Sequence, residues 1–488
     1  MYNTVMQQPI KFTQILEHRM VEELNADYVI IGSGAIGMAF ADTILSESDA
    51  TIIIIDRYAK PGGHWNVAYP FVQLHQPAAF YGVSSKELSS GRIEQGGLNA
   101  GLGELSSGAE VSAYFEDVMR HQFLPSGRVN YFPMCDYQGD GKFVSKVSGK
   151  QYHATAKRKT VDATYLKTTV PKTHTPNFEI GTGVRFMPLN DLPTVTSAPD
   201  GYVVVGAGKT GIDACLWLLE QHVDPRMITW IVSREAWLLD RQNTQMTEEF
   251  FFDTIGTQAQ MIENIAQSES PDDMFQRLEQ CGYFLRIDES TAPEMFHAAT
   301  VSKLEIEQLR RIKNVIRLGH LTAISTTEMK FKKGVLPTTA NTLYIDCSAS
   351  AIVDPGGKPV FGGNLITPQL ARPYQPVFSA ALTAHVELNY DCEEEKNRLC
   401  GLVPLPNTTV DFIRFTAAAL MNQYQWSQDG KLQKWISGNR LDGATTLLKS
   451  IAKDDTEKWA VVDRIKKNSP LAAVKLLEFQ AGLSETGK

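Results

Sequence analysis

The fold is decided by the stretch Asp27-Tyr-Val-Ile-Ile-Gly32-Ser-Gly34-Ala-Ile-Gly37, whose pattern returns later as Tyr202-Val-Val-Val-Gly206-Ala-Gly208-Lys-Thr-Gly211. In each stretch a short β-branched run leads into a GxGxxG triplet that opens a helical pattern. One such triplet is a weak signal, because the chain contains 36 glycines. Two triplets in the same strand–turn–helix setting predict two bound dinucleotides.

In the first stretch, residues 29–31 are too few and too β-branched for a helix, so we expect a buried parallel strand. Gly32 permits the tight turn, Gly34 lets the backbone approach a pyrophosphate, and Gly37 lets the following helix pack on the strand. The N-terminal amides of that helix and its dipole then face the diphosphate.

A second buried strand is predicted for residues 51–55, and Asp56 follows it directly. An acid at this position accepts hydrogen bonds from ribose hydroxyls and repels a 2′-phosphate, so this half is predicted to hold an unphosphorylated adenosine ribose. The alternative is a loop-capping aspartate. Arg57 and then Pro61-Gly-Gly-His-Trp65 come next. Paired glycines suit a backbone that touches a ligand, and the tryptophan can pack on a flat ring.

The second half differs at the end of its second strand. The strand predicted for residues 227–232 ends in Ser233-Arg234, a hydroxyl and a guanidinium that suit the 2′-phosphate of NADPH. Glu235 follows and would suit NADH, so NADPH is favoured with NADH as the alternative. A nucleoside-triphosphate loop is rejected, because that motif requires glycine where Val203 stands.

The Gly-Gly-x-Trp pattern just after the ribose acid is much narrower than a glycine triplet, and with it the chain resembles the flavoprotein monooxygenase superfamily. That superfamily includes the flavin-containing and Baeyer–Villiger monooxygenases. The resemblance covers residues 27–235 and, more loosely, residues 340–390. It implies FAD in the first half, with the Gly-Gly-x-Trp segment close to the flavin, and a nicotinamide coenzyme in the second.

Three further segments fit the same resemblance. Residues 161–165 and 344–349 are apolar strands that end in small residues, like the two crossings between domains in that family, although Tyr165 stands where glycine is usual. A helix is expected after residues 372–381, with Pro376 in its first turn. The resemblance implies that its N-terminus faces the pyrimidine end of the flavin and stabilises negative charge there.

The resemblance also implies which residues face the reaction. The region after the Gly-Gly-x-Trp segment supplies an asparagine near the flavin in that family, whereas this chain has Leu74-His-Gln-Pro77. His75 and Gln76 are therefore the candidate catalytic residues. Either can hydrogen-bond a flavin carbonyl, and His75 is expected to shuttle a proton near neutral pH. A packed loop without chemistry is the alternative.

The candidate cofactor-binding residues form two sets. The residues predicted to bind FAD are Gly32, Ser33, Gly34, Ala35, Ile36, Gly37, Asp56, Arg57, Gly63, His64, Trp65, Ala163, Pro376 and Phe378. The residues predicted to bind NADPH are Gly206, Gly208, Lys209, Thr210, Gly211, Ser233 and Arg234.

One departure from the family bears on function. Its monooxygenases carry a Phe-x-Gly-x-x-x-His signature before the second triplet, and this chain lacks it. The favoured function is an NADPH-dependent flavoprotein monooxygenase that acts on a small organic substrate with dioxygen. The first alternative is a flavin reductase or dehydrogenase without oxygen insertion. The second is a dinucleotide-binding sensor or scaffold without turnover.

Length and pattern together predict the architecture. The 488 residues are 43% hydrophobic, enough for two or three domains. We expect an α/β protein with two Rossmann-like domains and a helical C-terminal region. The predicted spans are 25–197 and 339–400 for the FAD domain, 198–338 for the NAD(P)H domain and 401–488 for the helical region. Apolar residues at positions 306, 309, 312 and 316 predict an amphipathic surface helix.

Composition excludes several other classes. With 47 basic and 55 acidic residues, a net charge of −8, the chain is not suited to nucleic acid. It has no run of 18 apolar residues, and residues 1–26 lack the features of a secretory signal. Its six cysteines have no CxxC spacing, which favours a reducing cytoplasm and disfavours a dithiol mechanism. A cytoplasmic protein with no metal site and no membrane span is predicted. The substrate and the oligomeric state stay open.

Overall fold

The structure is a computed structural model that describes residues 21–350 and 356–486. Residues 1–20, which make up most of the segment predicted to lack a secretory signal, lie outside these ranges. The strands are β1 (Glu22–Ile31), β2 (Ile52–Ile55), β3 (Gly82–Val83), β4 (Lys86–Glu87), β5 (Val129–Phe132), β6 (Cys135–Gly139), β7 (Lys142–Ser145), β8 (Gln151–Asp162), β9 (Glu179–Ile180), β10 (Arg185–Pro188), β11 (Gly201–Val205), β12 (Ile228–Ile231), β13 (Ala236–Asp240), β14 (Phe284–Leu285), β15 (Met295–Val301), β16 (Asn314–Ile316), β17 (Leu321–Ile324), β18 (Glu328–Phe331), β19 (Gly334–Pro337), β20 (Thr342–Asp346), β21 (Phe361–Gly362) and β22 (Leu365–Ile366).

The α-helices alternate with these strands in both halves and then follow one another at the C-terminal end. They are α1 (Ala35–Glu47), α2 (Gly108–Val118), α3 (Lys209–Glu220), α4 (Thr257–Gln267), α5 (Pro271–Gln280), α6 (Lys303–Leu309), α7 (Pro376–Asn389), α8 (Glu393–Leu399), α9 (Thr409–Ser427), α10 (Gly430–Gly438), α11 (Ala444–Lys449) and α12 (Thr456–Thr486). Within the described ranges, no helix is both long and apolar enough to cross a membrane.

The first sheet carries the first glycine triplet. Its strand order is β21-β22-β8-β1-β2-β5, and a β6–β7 hairpin joins it beside β8. β1 runs parallel to both β2 and β8, with Ile30 opposite Ile54 on one side and Val161 on the other. The side chains of β2 are fully buried, because helices α1 and α7 cover one face of the sheet and the β6–β7 hairpin covers part of the other. This is the buried parallel sheet that the β-branched runs predict.

The second sheet carries the second glycine triplet. Its strand order is β10-β20-β11-β12-β16, and every neighbouring pair is parallel. The α/β fold class with two Rossmann-like units is thus confirmed. The sheet extends beyond the predicted 198–338 span at both ends, because β10 and β20 belong to it. β20 lies beside β11 just as β8 lies beside β1.

One prediction about the middle of the chain is wrong in detail. The apolar spacing at positions 306–316 does not form one helix: α6 ends at Leu309, and Ile316 closes strand β16, whose pairing with β12 removes it from the helix. The segment between β12 and β16 also contains β13, β14 and β15, which form a small sheet of their own.

The C-terminal helices pack onto this middle segment. Phe412 of α9 and Leu476 of α12 share one buried cluster with Phe275 of α5 and Phe296 of β15. The predicted helical C-terminal region is therefore present, and its helices are joined to the rest of the molecule by a continuous apolar core.

Candidate functional site: two glycine turns joined by one segment

The first glycine turn lies between β1 and α1. Gly32 has φ +96°, and a methyl group there would lie 2.8 Å from Cγ2 of Thr164. A methyl group on Gly37 would overlap the carbonyl oxygen of Gly32, so the helix can pack this closely on the strand only through glycine. Gly34 is the N-cap of α1, and no side chain caps the helix. Its N-terminal amides are therefore available to an anionic ligand.

The side chain of Asp56 lies against this turn and hydrogen-bonds to Ser33. Its carboxylate is 5% exposed and accepts hydrogen bonds from the backbone N (2.5 Å) and Oγ (2.7 Å) of Ser33. Its other oxygen accepts a bond from the backbone N of Tyr58 at 2.7 Å. The predicted ribose acid thus lies at the glycine turn, held by the turn's own backbone. Arg57, by contrast, is exposed.

The Gly-Gly-x-Trp segment covers the same turn. The backbone N of Gly62 donates to the carbonyl oxygen of Ser33 at 2.8 Å, and a methyl group on Gly63 would lie 2.9 Å from the Cα of Gly34. Trp65 donates from Nε1 to the hydroxyl of Tyr81 at 2.8 Å. Beside it, burial lowers the pKa of His64 to about 4.

The end of β8 supplies the opposite side of the turn. The backbone N of Ala163 donates to the carbonyl oxygen of Ile31 at 3.0 Å, and Ala163 remains partly exposed. At the second turn, the backbone N of Cys347 donates in the same way to the carbonyl oxygen of Val205 at 2.9 Å. The two predicted crossings therefore occupy equivalent places in the two units.

The second glycine turn repeats the first in its packing. Gly206 has φ +132°, and a methyl group there would overlap the carbonyl oxygen of Cys347. A methyl group on Gly211 would overlap the carbonyl oxygen of Gly206. A methyl group on Gly208 would meet nothing within 4 Å, so this turn opens into free space, and its helix also lacks a side-chain cap.

Lys209 and Asp213 mark the start of α3. The two side chains form an ion pair, and the hydroxyl of Tyr69 donates to Oδ2 of Asp213 at 2.5 Å. Burial, together with the charge of Asp213, raises the pKa of Tyr69 well above its usual value. Thr210 is partly exposed on the same helix turn.

A single segment, residues 62–76, therefore touches both the first turn and the helix α3 that opens at the second turn. Gly63 lies against Gly34 of the first turn, and Tyr69 binds Asp213 of the helix that opens at the second. The ring of Phe71 stacks on Trp217 of the same helix, with centroids 5.0 Å apart. We call residues 62–76 the bridging segment.

His75 lies at the end of the bridging segment. Its Nδ1 accepts a hydrogen bond from the backbone N of Thr300 at 3.3 Å. Burial lowers the pKa of His75 to about 3, and the charges of Lys209 and Arg241 act in the same direction. The ring is therefore neutral at physiological pH, and the expectation that it titrates near neutrality is wrong.

Gln76 connects the bridging segment to the start of α7. Its Nε2 donates to the carbonyl oxygen of Tyr374 at 3.3 Å. Pro376 lies in the first turn of α7 as predicted. Phe378 is fully buried, and its ring contacts the rings of Trp426 and Trp435, so the helix presents its backbone rather than this ring to any ligand.

A cavity of about 410 Å³ lies at the carboxyl edge of the second sheet. Ala207 of the second turn and Glu235 line it, together with Asp288 and Arg317. The Nε of Arg317 is 2.6 Å from Oε1 of Glu235, and a second guanidinium nitrogen is 2.8 Å from Asp288. Ligands bind outside the carboxyl ends of parallel strands, so this cavity is the candidate adenosine site of the second unit.

The residues predicted to discriminate between NADPH and NADH differ in whether they face the cavity. Glu235 lines the cavity, whereas the guanidinium of Arg234 donates to Oδ1 of Asn407 at 3.0 Å, and His297 bonds the same oxygen at 2.8 Å. Ser233 is partly exposed beside them. The sequence pattern drew attention to Glu235 but gave no sign of Arg317, which directly follows strand β16.

A buried ion pair behind His75 was also missed. Arg241 is fully buried and donates to both carboxylate oxygens of Glu305, at 3.0 and 2.8 Å. Its Nε donates to the carbonyl oxygen of His75 at 3.1 Å. Arg241 therefore fixes the end of the bridging segment, and a pair separated by 64 residues leaves no local sequence pattern.

These features define an α/β protein with two Rossmann-like units whose glycine turns are linked by one segment. A comparison with protein-family models finds no match. Uncharacterized proteins of Mycobacterium tuberculosis and Mycobacterium bovis are 43% identical to the chain over 465 residues, which is 95% of this chain and 86% of each relative. The chain belongs to the family of these mycobacterial proteins.

Several solved structures are similar in fold. A flavin-containing monooxygenase from Stenotrophomonas maltophilia aligns with 82% of this chain and 99% of its own, at 15% identity and a TM-score of 0.42. A closed cyclohexanone monooxygenase covers 88% and 98%, at 12% identity and 0.48. An oxidized steroid monooxygenase bound to NADP covers 74% and 84%, at 13% identity and 0.43. Likenesses of this degree transfer no activity to the chain.

Proposed function

We propose that the protein is an oxidoreductase that binds FAD at the first glycine turn and a reduced nicotinamide coenzyme at the second. The observation that carries the proposal is the bridging segment, which contacts the first turn through Gly63 and the second unit through Tyr69. Two dinucleotides bound at the two turns would therefore extend toward each other along one common wall. A binding protein without turnover would not need this arrangement.

The residues at the first turn fit FAD. The uncapped amides at the start of α1 suit a pyrophosphate, and the buried carboxylate of Asp56 suits a ribose hydroxyl. FAD, when bound, supplies a ring that accepts a hydride and passes electrons on. The chain's own part is to hold it: α7 directs the positive end of its dipole toward the bridging segment at Gln76.

NADPH remains the proposed coenzyme, on the strength of Ser233 and Arg234. Glu235 supports NADH as a specific alternative, because it lines the cavity while Arg234 bonds to Asn407. A carboxylate beside the adenosine ribose accepts hydrogen bonds from the ribose hydroxyl groups and repels a 2′-phosphate. NADPH therefore requires Arg234 to bind its 2′-phosphate, whereas NADH requires Glu235 to bind its ribose hydroxyl groups.

The proposed overall reaction is monooxygenation of a small organic substrate with dioxygen in the cytoplasm. A flavin reductase or dehydrogenase without oxygen insertion is the alternative, favoured by the missing linker signature. Within the chain, His75 carries its proton on Nε2, since its Nδ1 accepts the bond from Thr300 and the ring stays neutral. It therefore serves as a hydrogen-bond donor and not as a titrating base.

The absorption spectrum of the purified chain is the first test. A yellow protein whose flavin bands bleach anaerobically on addition of NADPH is expected. A colourless chain that takes up no added FAD would overturn the proposal. Readmitting air in the presence of a panel of small organic compounds then separates the two reactions, because a monooxygenase transfers one oxygen atom to a compound it accepts whereas a reductase leaves every compound unoxygenated and releases only hydrogen peroxide.

Two adjacent variants test the coenzyme. Arg234→Ala is expected to slow anaerobic flavin reduction by NADPH about tenfold, with NADH unaffected, because a charged hydrogen bond to the 2′-phosphate is lost. Glu235→Gln serves as the matched variant. If Glu235→Gln instead weakens NADH and Arg234→Ala changes neither coenzyme, the enzyme uses NADH.

A further inference from the structure

The C-terminal helical region makes an unexpected contact with the first unit. Residues 439–443, between α10 and α11, lie on residues 79–86, which continue from the bridging segment. We call residues 439–443 the clasp. Residues 79–86 contain only the end of a 3-10 helix (Ala78–Phe80) and the short hairpin of β3 and β4, so several of their carbonyl oxygens need partners from elsewhere.

Arg440 supplies those partners. Its Nε donates to the carbonyl oxygen of Val83 at 3.0 Å. One terminal nitrogen donates to Ala79 at 2.8 Å, and the other donates to Tyr81 at 2.9 Å and to Lys86 at 2.6 Å. One guanidinium thus donates to four carbonyl oxygens in a fixed fork geometry, which the single ammonium of a lysine cannot reproduce. Of the four, the oxygen of Lys86 also accepts a hydrogen bond from the hydroxyl of Tyr114 at 2.7 Å.

The neighbours of Arg440 hold the same stretch. Asn439 donates from Nδ2 to Oγ of Ser84 at 3.0 Å. A methyl group on Gly443 would lie 2.5 Å from the ring of Phe80, so the clasp backbone touches that ring directly. These contacts with Ala79, Phe80, Tyr81, Val83, Ser84 and Lys86 are made to the chain just beyond the candidate catalytic residue Gln76.

Asp442 ties the clasp to a second element. Its side chain is fully buried and forms an ion pair with Arg372, which precedes α7. The guanidinium of Arg372 lies 3.9 Å above the ring of Phe378 in the first turn of that helix. The clasp therefore contacts the chain on both sides of the Gln76–Tyr374 hydrogen bond: residues 79–86, which follow Gln76, and Arg372, which lies two residues before Tyr374.

We propose that Arg440 and Asp442 are positioning residues that set the loop of residues 75–81 against the N-terminus of α7. This inference rests on the proposed function, in which that loop and that helix face the bound FAD. The C-terminal helical region is then a structural part of the flavin site and not an independent appendage.

The test compares Arg440→Lys with Arg414→Lys, a matched substitution of a half-exposed arginine on α9. Hydrogen exchange is measured on the FAD-depleted chains, followed by fluorescence titration with FAD and the visible spectrum of the bound flavin. We expect Arg440→Lys to speed exchange in residues 79–86 about tenfold, to weaken FAD binding several-fold and to shift the spectrum. Exchange in β11 should not change, and Arg414→Lys should alter nothing.

Unchanged exchange in residues 79–86 would overturn the inference, as would faster exchange with unchanged FAD binding and spectrum. If Arg440→Lys does not fold, Asn439→Ser makes the same test with one hydrogen bond removed. A wild-type chain that binds no FAD would overturn the proposed function and the flavin role of the clasp with it. Faster exchange in the variant would still show that the clasp orders the loop, so the two failures are distinguishable.

Discussion

The two glycine turns share one backbone design and differ in what surrounds them. At the first turn, Gly63 packs against Gly34, and the carboxylate of Asp56 is buried against Ser33. At the second turn, the space in front of Gly208 is open, and Glu235 lines a cavity where Arg317 pairs with it. A covered turn suits a group that stays bound, whereas an open turn suits one that enters and leaves in each cycle.

This difference gives the proposed roles a physical basis. A resident flavin needs a site that closes over it, and a coenzyme that exchanges at each turnover needs access. The bridging segment then belongs to both sites, because its glycines cover the first turn while Tyr69 and Phe71 pack on α3 of the second.

Glycine substitutions give the largest expected effect. Gly211→Ala and Gly37→Ala each place a methyl group on a backbone carbonyl oxygen, so the helix must move away from its strand. We expect each to lower the free energy of unfolding by about 3 kcal/mol in urea titrations.

Gly208→Ala is the matched control for these variants. Its methyl group meets nothing within 4 Å, and its φ of −78° suits alanine, so stability should change little. Its added methyl group should nevertheless hinder a ligand at the open turn, seen as a raised dissociation constant for NADPH. Equal losses of stability in Gly208→Ala and Gly211→Ala would refute the open second turn.

The local patterns were the predictable part of the molecule. Both turns, the acid at position 56 and helix α7 follow from spacing within short stretches, where backbone geometry dictates residue type. The ion pairs Arg241–Glu305 and Arg372–Asp442 could not be predicted, since 64 and 70 residues separate the partners. The helix expected across positions 306–316 does not form over its full length, because residues 314–316 pair as a strand with β12 despite the helical spacing of their apolar residues.

Asp56→Asn has the next largest expected effect. The carboxylate accepts bonds from three donors, and an amide nitrogen in place of one oxygen would face donors instead. FAD affinity should fall about 10- to 100-fold, measured by fluorescence titration of the FAD-depleted chain. Glu235→Gln provides the comparison and should leave FAD affinity unchanged. Similar losses in both variants would contradict the assignment of FAD to the first turn alone.

The smallest expected effect concerns two partly buried histidines, His64 beside the first turn and His75 at the end of the bridging segment. Burial alone lowers the pKa of His64 to about 4, whereas burial together with Lys209 and Arg241 lowers the pKa of His75 to about 3. Both rings are neutral in the folded chain and take up a proton on unfolding at acidic pH. Their contribution to stability is therefore complete above about pH 6.5 and is lost as the pH falls toward these values.

His75→Gln keeps an acceptor for the backbone N of Thr300 but removes the titration. The free energy of unfolding of this variant should fall less steeply than that of the wild type between about pH 6 and pH 4, by up to about 1.4 kcal/mol per pH unit. Added salt should reduce the difference for His75→Gln more than for His64→Gln, because only His75 is opposed by nearby cations. Identical salt responses would show that the two turns place their histidines in equivalent electrostatic surroundings.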